Sequence, residues 1–207
     1  MPADAGTPVL PDMLSILREA TGPSHERLDA LFGSLALSRR RDLARFLAAH
    51  AIGLAPMFPV FRRFVGEELG LDCPDYPAML RADLAALGTD PDALPVLDVP
   101  AAILPDEAAA GVGYVICGSR LGLTVIRQQG YWGEAEGFRS AYMTDGRGHE
   151  AWKALVPRLR GLRPAAGPAE TARAAALAAF DTFARAFAAS HDLGRDLGPA
   201  ERLPVDG

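Results

Sequence analysis

The chain has 207 residues, 49% of them hydrophobic, and a formal net charge of −5. That suits one globular domain with a sizeable core. It excludes the concentrated basic surface that nucleic acid requires, and the one basic run, Arg39-Arg40-Arg41, reads as the solvated start of a helix.

Helical periodicity runs through most of the chain. In "PDMLSILREA", Met13, Leu14 and Leu17 share a face, with Pro11-Asp12 as the start. The same helix carries "REATGPSHERLD", in which His25 lies two residues after Pro23 and four before Asp29. "SRRRDLARFLAAHAIGLAPMFPVFRRFVGEEL" places Leu43, Phe46, Leu47 and His50 on one stripe, with Ser38 as the expected N-cap and a kink or break at Pro56 and Pro59. "DYPAMLRADLAAL" predicts a further helix closed by Gly88, followed by the Pro-rich connector "TDPDALPVLDVP".

From Leu104 a long apolar stretch contains Gly111, Gly113, Gly118 and Gly122, each costing roughly 1 kcal/mol against alanine inside a helix. Gly118 and Gly122 are four apart and share a face. Such a face serves close packing of two helices through small residues, or lets the backbone approach something large and flat. "GEAEGFRSAYM", "GRGHEAWKALVPRLRGL" and "PAETARAAALAAFDTFARAFAAS" complete the helical set. No alternating strand pattern and no repeat is found. The expected fold is all-α, a single-domain bundle of six to eight helices over residues 11–190, with a flexible N-terminus at 1–10 and a flexible tail at 191–207.

Cys73 and Cys117 form neither a disulfide framework nor a CxxC clamp. The first residues, "MPADAGTPVLPDM", lack the regions of a signal peptide, and no apolar run is expected to reach the ~18 residues of a membrane span. A cytoplasmic protein without membrane or nucleic-acid partners is expected. "GVGYVICGSRLG" lacks the Gly-Lys-Ser/Thr ending of a phosphate loop and the strand-to-helix setting of a nucleophile elbow. His50, His149 and His191 read as a stripe residue, a helix-start residue and a tail residue. No pair has zinc-site spacing. His25 differs because Asp29, one turn on, can accept from the free ring N–H and orient the imidazole toward a metal.

"LREATGPSHERLD" resembles the first-helix segment of bacterial haem oxygenases. "GVGYVICGSRLG" resembles the distal helix of the branch associated with bacteriophytochromes. "GFRSAY", "HEAWKALVPRL" and "AALAAFDTFARAF" follow in the order of that family, so the likeness covers roughly residues 10–190. The resemblance implies haem b as cofactor and substrate, sandwiched between the first, proximal helix and the Gly-rich, kinked distal helix. His25 is then the iron ligand and Asp29 its orienting partner. Gly118, Ser119 and Gly122 form the wall on the O₂ side, Arg18, Lys153 and Arg158 hold propionates, and Phe180 lines the pocket. It further implies O₂-dependent opening of haem to biliverdin with release of CO and ferrous iron. Electrons would come from an external ferredoxin or flavin reductase, and a bacteriophytochrome is a candidate recipient of the pigment. Leu123 stands where the family usually has glycine, Cys117 where it has glutamate, and Ser119 where animal enzymes have aspartate. A non-enzymatic haem-binding or sensor protein on the same fold, and a helical partner-binding protein without haem, are the other readings.

Overall fold

The computed structural model describes residues 11–193; residues 1–10 and 194–207, where flexible ends are expected, lie outside the described part. Among the described residues there are eight α-helices and no strand.

Helix α1 (Met13–Gly33) starts at Asp12, whose extended backbone lets its carboxylate accept from the Ser15 N–H at 2.8 Å. Met13, Leu14, Leu17 and Thr21 bury the inner stripe. Pro23 lies inside the helix. The proline removes one helical hydrogen bond, but the helix runs on with its first half anchored in the core. His25 and Asp29 therefore sit one turn apart on one face.

Helix α2 (Arg40–Leu54) is capped by Arg39, with no side-chain capping bond. Ser38 is not the N-cap. It lies within a turn closed by the Arg39 N–H to the Ala36 carbonyl at 2.8 Å, so the extended cap geometry falls one residue later. Helix α3 (Phe58–Arg63) begins beside Pro59 and passes into a π-helical turn, Phe64–Glu68. The chain bends by 75° between α2 and the α3 segment, where Pro56 and Pro59 were expected to break it. Helix α4 (Tyr76–Ala86) is capped by Asp75 and closes through Gly88, whose φ of +68° is open to glycine at little cost.

Helix α5 (Ala109–Gln129) is the Gly-rich segment. By length and composition Asp106–Gln129 could cross a membrane, which corrects the expectation that no run is long and apolar enough; half of its most apolar window is buried inside the bundle. The stretch expected to supply a helix at "GEAEGFRSAYM" gives only the one-turn α6 (Ala141–Thr144), because Gly133 and Gly137 take positive φ and turn the chain. Helices α7 (Arg147–Gly161) and α8 (Ala166–Ala189) follow. α8 is the axis of the bundle, packed against α1, α2 and α5.

The glycines of α5 divide into two groups. A Cβ on Gly111 would collide with the Ala172 carbonyl of α8, and one on Gly113 with the Phe64 ring. These two let neighbouring chain approach closely. A Cβ on Gly118 would meet only the edge of Trp152 at 3.5 Å, and one on Gly122 would meet nothing within 4 Å.

Two buried charges fix α5 relative to α4 through α6. Asp83 on α4 accepts from Ser140 Oγ at 2.5 Å and from the N–H groups of Ala141 and Tyr142 at 2.8 and 3.0 Å. Arg120 on α5 donates through Nη2 to the carbonyls of Tyr142 and Asp145 at 2.5 and 3.2 Å. Its guanidinium lies between the rings of Tyr76 and Tyr142, at 4.5 and 4.3 Å. A carboxylate at the N-terminus of α6 and a cation at its C-terminus both match the helix dipole.

Candidate functional site

A cleft of about 470 Å³ opens between α1 and α5, with α8 as its floor, and its size is that of a small-molecule site. From α1 it is lined by Arg18, His25, Leu28, Asp29 and Phe32; from α5 by a run that includes Val115, Gly118, Ser119, Gly122 and Leu123; from α8 by Phe180 and Phe183. Seven of the nine residues singled out in the sequence thus meet in one place. Lys153 and Arg158 lie outside it, and Arg158 pairs instead with Glu68.

His25 Nδ1 lies 2.9 Å from Asp29 Oδ2, with both side chains largely exposed. An imidazole that donates Nδ1–H to a carboxylate keeps the Nε2 lone pair free for a ligand. The Phe180 ring stands 5.9 Å from that of His25, tilted by 56°. This end of the cleft is therefore a rim, with Arg18, two turns before His25 on α1, as the cation that lines it.

The opposite wall is α5. Gly118 and Gly122 present backbone to the cleft, so a flat guest can lie close against the helix. Ser119 is tied to it, its hydroxyl donating to the Ile116 carbonyl at 2.8 Å. Leu123 is buried in the core and also contributes to the cleft wall, so the side chain is shared between bundle and site. Cys117 does not line the cleft; burial pushes its thiol up to about 12, which makes it a small apolar core residue.

His50 is the residue the sequence concealed. Its place on the α2 stripe indicated ordinary core packing, yet it lines the cleft as well as being buried. Its Nδ1 lies 2.8 Å from the Phe46 carbonyl, and burial holds its pKa down at about 4. The periodicity of α2 marked it as inward-facing; only the packing of α1, α6 and α8 around it shows that inward means toward a cavity. Among the described residues no cluster of His, Cys, Asp and Glu could hold a metal ion by itself.

The helical layout is that of haem oxygenases. A solved structure, the NO- and CO-bound haem oxygenase from Neisseria meningitidis, aligns with 93% of this chain and 99% of its own at a TM-score of 0.60 and 24% identity. No known protein family and no curated protein matches the sequence.

Proposed function

We propose that this protein is a haem oxygenase that opens haem to biliverdin, CO and ferrous iron with O₂ and externally supplied electrons. One observation carries the reading: a carboxylate-oriented histidine and a side-chain-free helix face stand on opposite walls of one apolar cleft. The residues fit haem. His25 offers Nε2 as the iron ligand, Phe180 and Phe183 offer ring surface, and Gly118 and Gly122 leave space for a flat macrocycle along α5. Haem, when bound, supplies both the O₂-activating iron and the ring that is oxidised.

The chain's own part is placement. Asp29 fixes the His25 ring. Arg18 would hold a propionate at the rim and so set how the macrocycle sits. Gly118 and Gly122 would let the α5 backbone lie close against a bound macrocycle. Lys153 and Arg158 are weaker propionate partners, since both lie outside the cleft. The electron donor is a ferredoxin or flavin reductase, the compartment cytoplasmic, and a bacteriophytochrome a plausible recipient of the bilin. Non-enzymatic haem binding is the second reading, favoured by Leu123 narrowing the cleft wall.

The test is turnover of the ferric haem complex with a reductase in air, beside His25→Ala. Wild type forms bilin. The variant loses the histidine-ligated spectrum and regains part of it with free imidazole. Haem that binds without forming bilin selects the second reading, and an unchanged spectrum in His25→Ala removes His25 as ligand.

A further inference from the structure

Arg120 is a cation buried to 4% exposure with no carboxylate to pair with. Its Nη2 is spent on the α6 carbonyls, and among the described residues Nε and Nη1 have no hydrogen-bond partner. The groups packed around it do not neutralise it. Burial pushes up the phenols of Tyr76 on α4 and Tyr142 on α6, so both rings stay uncharged, and the Cys117 thiol of its own helix does the same. Asp145, beyond the end of α6, is committed to Arg147, whose Nη2 stands 2.6 Å from its Oδ2. Asp83 is held by three donors at the far end of α6. Burying a guanidinium in this way is costly. Two bonds to carbonyls do not call for a charge, since a neutral amide donates to a carbonyl as well.

The charge lies close behind the cleft. The Tyr142 ring touches both the guanidinium, at 4.3 Å, and the ring of His50, at 5.5 Å, and His50 lines the cleft. Arg120 also follows directly on Ser119, which lines it from α5. One aromatic ring therefore separates a permanent positive charge from the cavity, and apolar packing of that kind screens a charge far less than water does. Its reach shows at His50. Burial first, and then the charge of Arg120, hold that imidazole down at about 4, and no carboxylate acts against Arg120 there.

We propose that Arg120 sets the electrostatic potential of the cleft from behind Tyr142, favouring the less positive form of whatever the cleft holds. This rests on the haem reading above. There the less positive form is ferrous iron, so the charge eases delivery of the first electron. Arg120 acts through its field and touches no guest.

Spectroelectrochemistry at saturating haem tests it. A unit charge acting over on the order of 10 Å at an effective dielectric of about 20 shifts a one-electron equilibrium about tenfold. Arg120→Met should therefore hold about tenfold more ferric iron at a fixed applied potential, a fall in midpoint of about 59 mV. Asp83→Asn breaks the same α6 strut but removes a negative charge, so its midpoint should stay or rise. A wild-type midpoint in Arg120→Met, or a fall shared by Asp83→Asn as a loosened strut would give, overturns the proposal. If Arg120→Met does not fold, Arg120→Lys replaces it, because lysine can lose its proton where arginine cannot. Its midpoint should drop in a step between about pH 6 and 10.5 that wild type lacks, and a curve parallel to wild type overturns the proposal. In the haem-free protein, NMR titration of His50 should give a higher pKa in Arg120→Met than in wild type, and no rise overturns the field at the cleft. If wild type takes up no haem, the haem reading itself fails, and the titration of His50 then decides alone whether Arg120 charges the cleft.

Discussion

Replacing Asp83 by asparagine tests whether the α6 strut holds the cleft wall. The carboxylate receives three donors: Ala141 N–H on Oδ1, and Ser140 Oγ and Tyr142 N–H on Oδ2. Asparagine offers one oxygen and an NH₂. If the NH₂ replaces Oδ1 it opposes the Ala141 N–H; if it replaces Oδ2 it opposes the Tyr142 N–H, while the Ser140 hydroxyl turns to accept. Either way at least one charge-assisted bond becomes a donor–donor contact, and the rest lose their charge. Bonds to a charged group are worth about 1.5–3 kcal/mol each, and a buried donor without a partner costs a similar amount, so a loss of about 3 kcal/mol is expected. For a domain of this size that lowers Tm by roughly 6–12 °C. Differential scanning calorimetry gives the shift, and circular dichroism at 20 °C should show the helices intact. Because Tyr142 touches His50, haem affinity should fall together with Tm. A variant melting within about 1 °C of wild type would refute the reasoning, since the three bonds would then hold nothing that matters to the fold.

Gly122→Leu should fold normally, because a Cβ there meets nothing, and should keep the His25-ligated spectrum while bilin formation falls by about 100-fold from misplaced reacting groups. Leu123→Gly should destabilise by about 3 kcal/mol or more, from lost burial and helix propensity, without raising turnover; urea unfolding and bilin yield decide it. The pH dependence of stability should carry His50. Its folded pKa of about 4 lies below the ordinary 6.5, so the unfolded chain binds the extra proton first. Stability attributable to the neutral ring is complete above pH 6.5, is lost as pH falls from there to about 4, and amounts to roughly 3 kcal/mol. His50→Leu should flatten that part of the stability profile, as read by urea midpoints between pH 4 and 7.

Local chemistry made several elements legible. Asp12 capping α1 and Gly88 closing α4 follow from side-chain and backbone preferences that act within a few residues. The all-α bundle followed from periodicity in the same way. His25 and Asp29 were readable as a pair because both lie on one helix, and the cleft face of Gly118 and Gly122 was readable as a face, though spacing could not choose between a packed neighbour and a cavity. Gly111 and Gly113 turned out to serve packing, and Gly118 and Gly122 the cavity. What stayed hidden depends on partners distant in the chain. Asp83 and Ser140 are 57 positions apart, and neither residue type announces the other. His50 looked like any inward stripe residue, since its neighbours come from four helices. Ser38 failed as a cap because a turn closed beside it. Lys153 and Arg158 failed to reach the cleft because α7 presents them elsewhere.

The exposure of His25 has a kinetic consequence. The two ends of the cleft differ in character: an apolar interior and an open, charged threshold. On the haem reading, a planar guest would thread in by its apolar edge and meet Arg18 and the imidazole at the end of that travel. On that reading, capture would have two stages, a partition governed by hydrophobic area and a locking at the doorway. Leaving reverses the order, so loosening the doorway alone is enough to let a product depart. On the haem oxygenase reading proposed above, a ring that has been opened and has lost its hold on His25 would meet that condition without any rearrangement of the bundle.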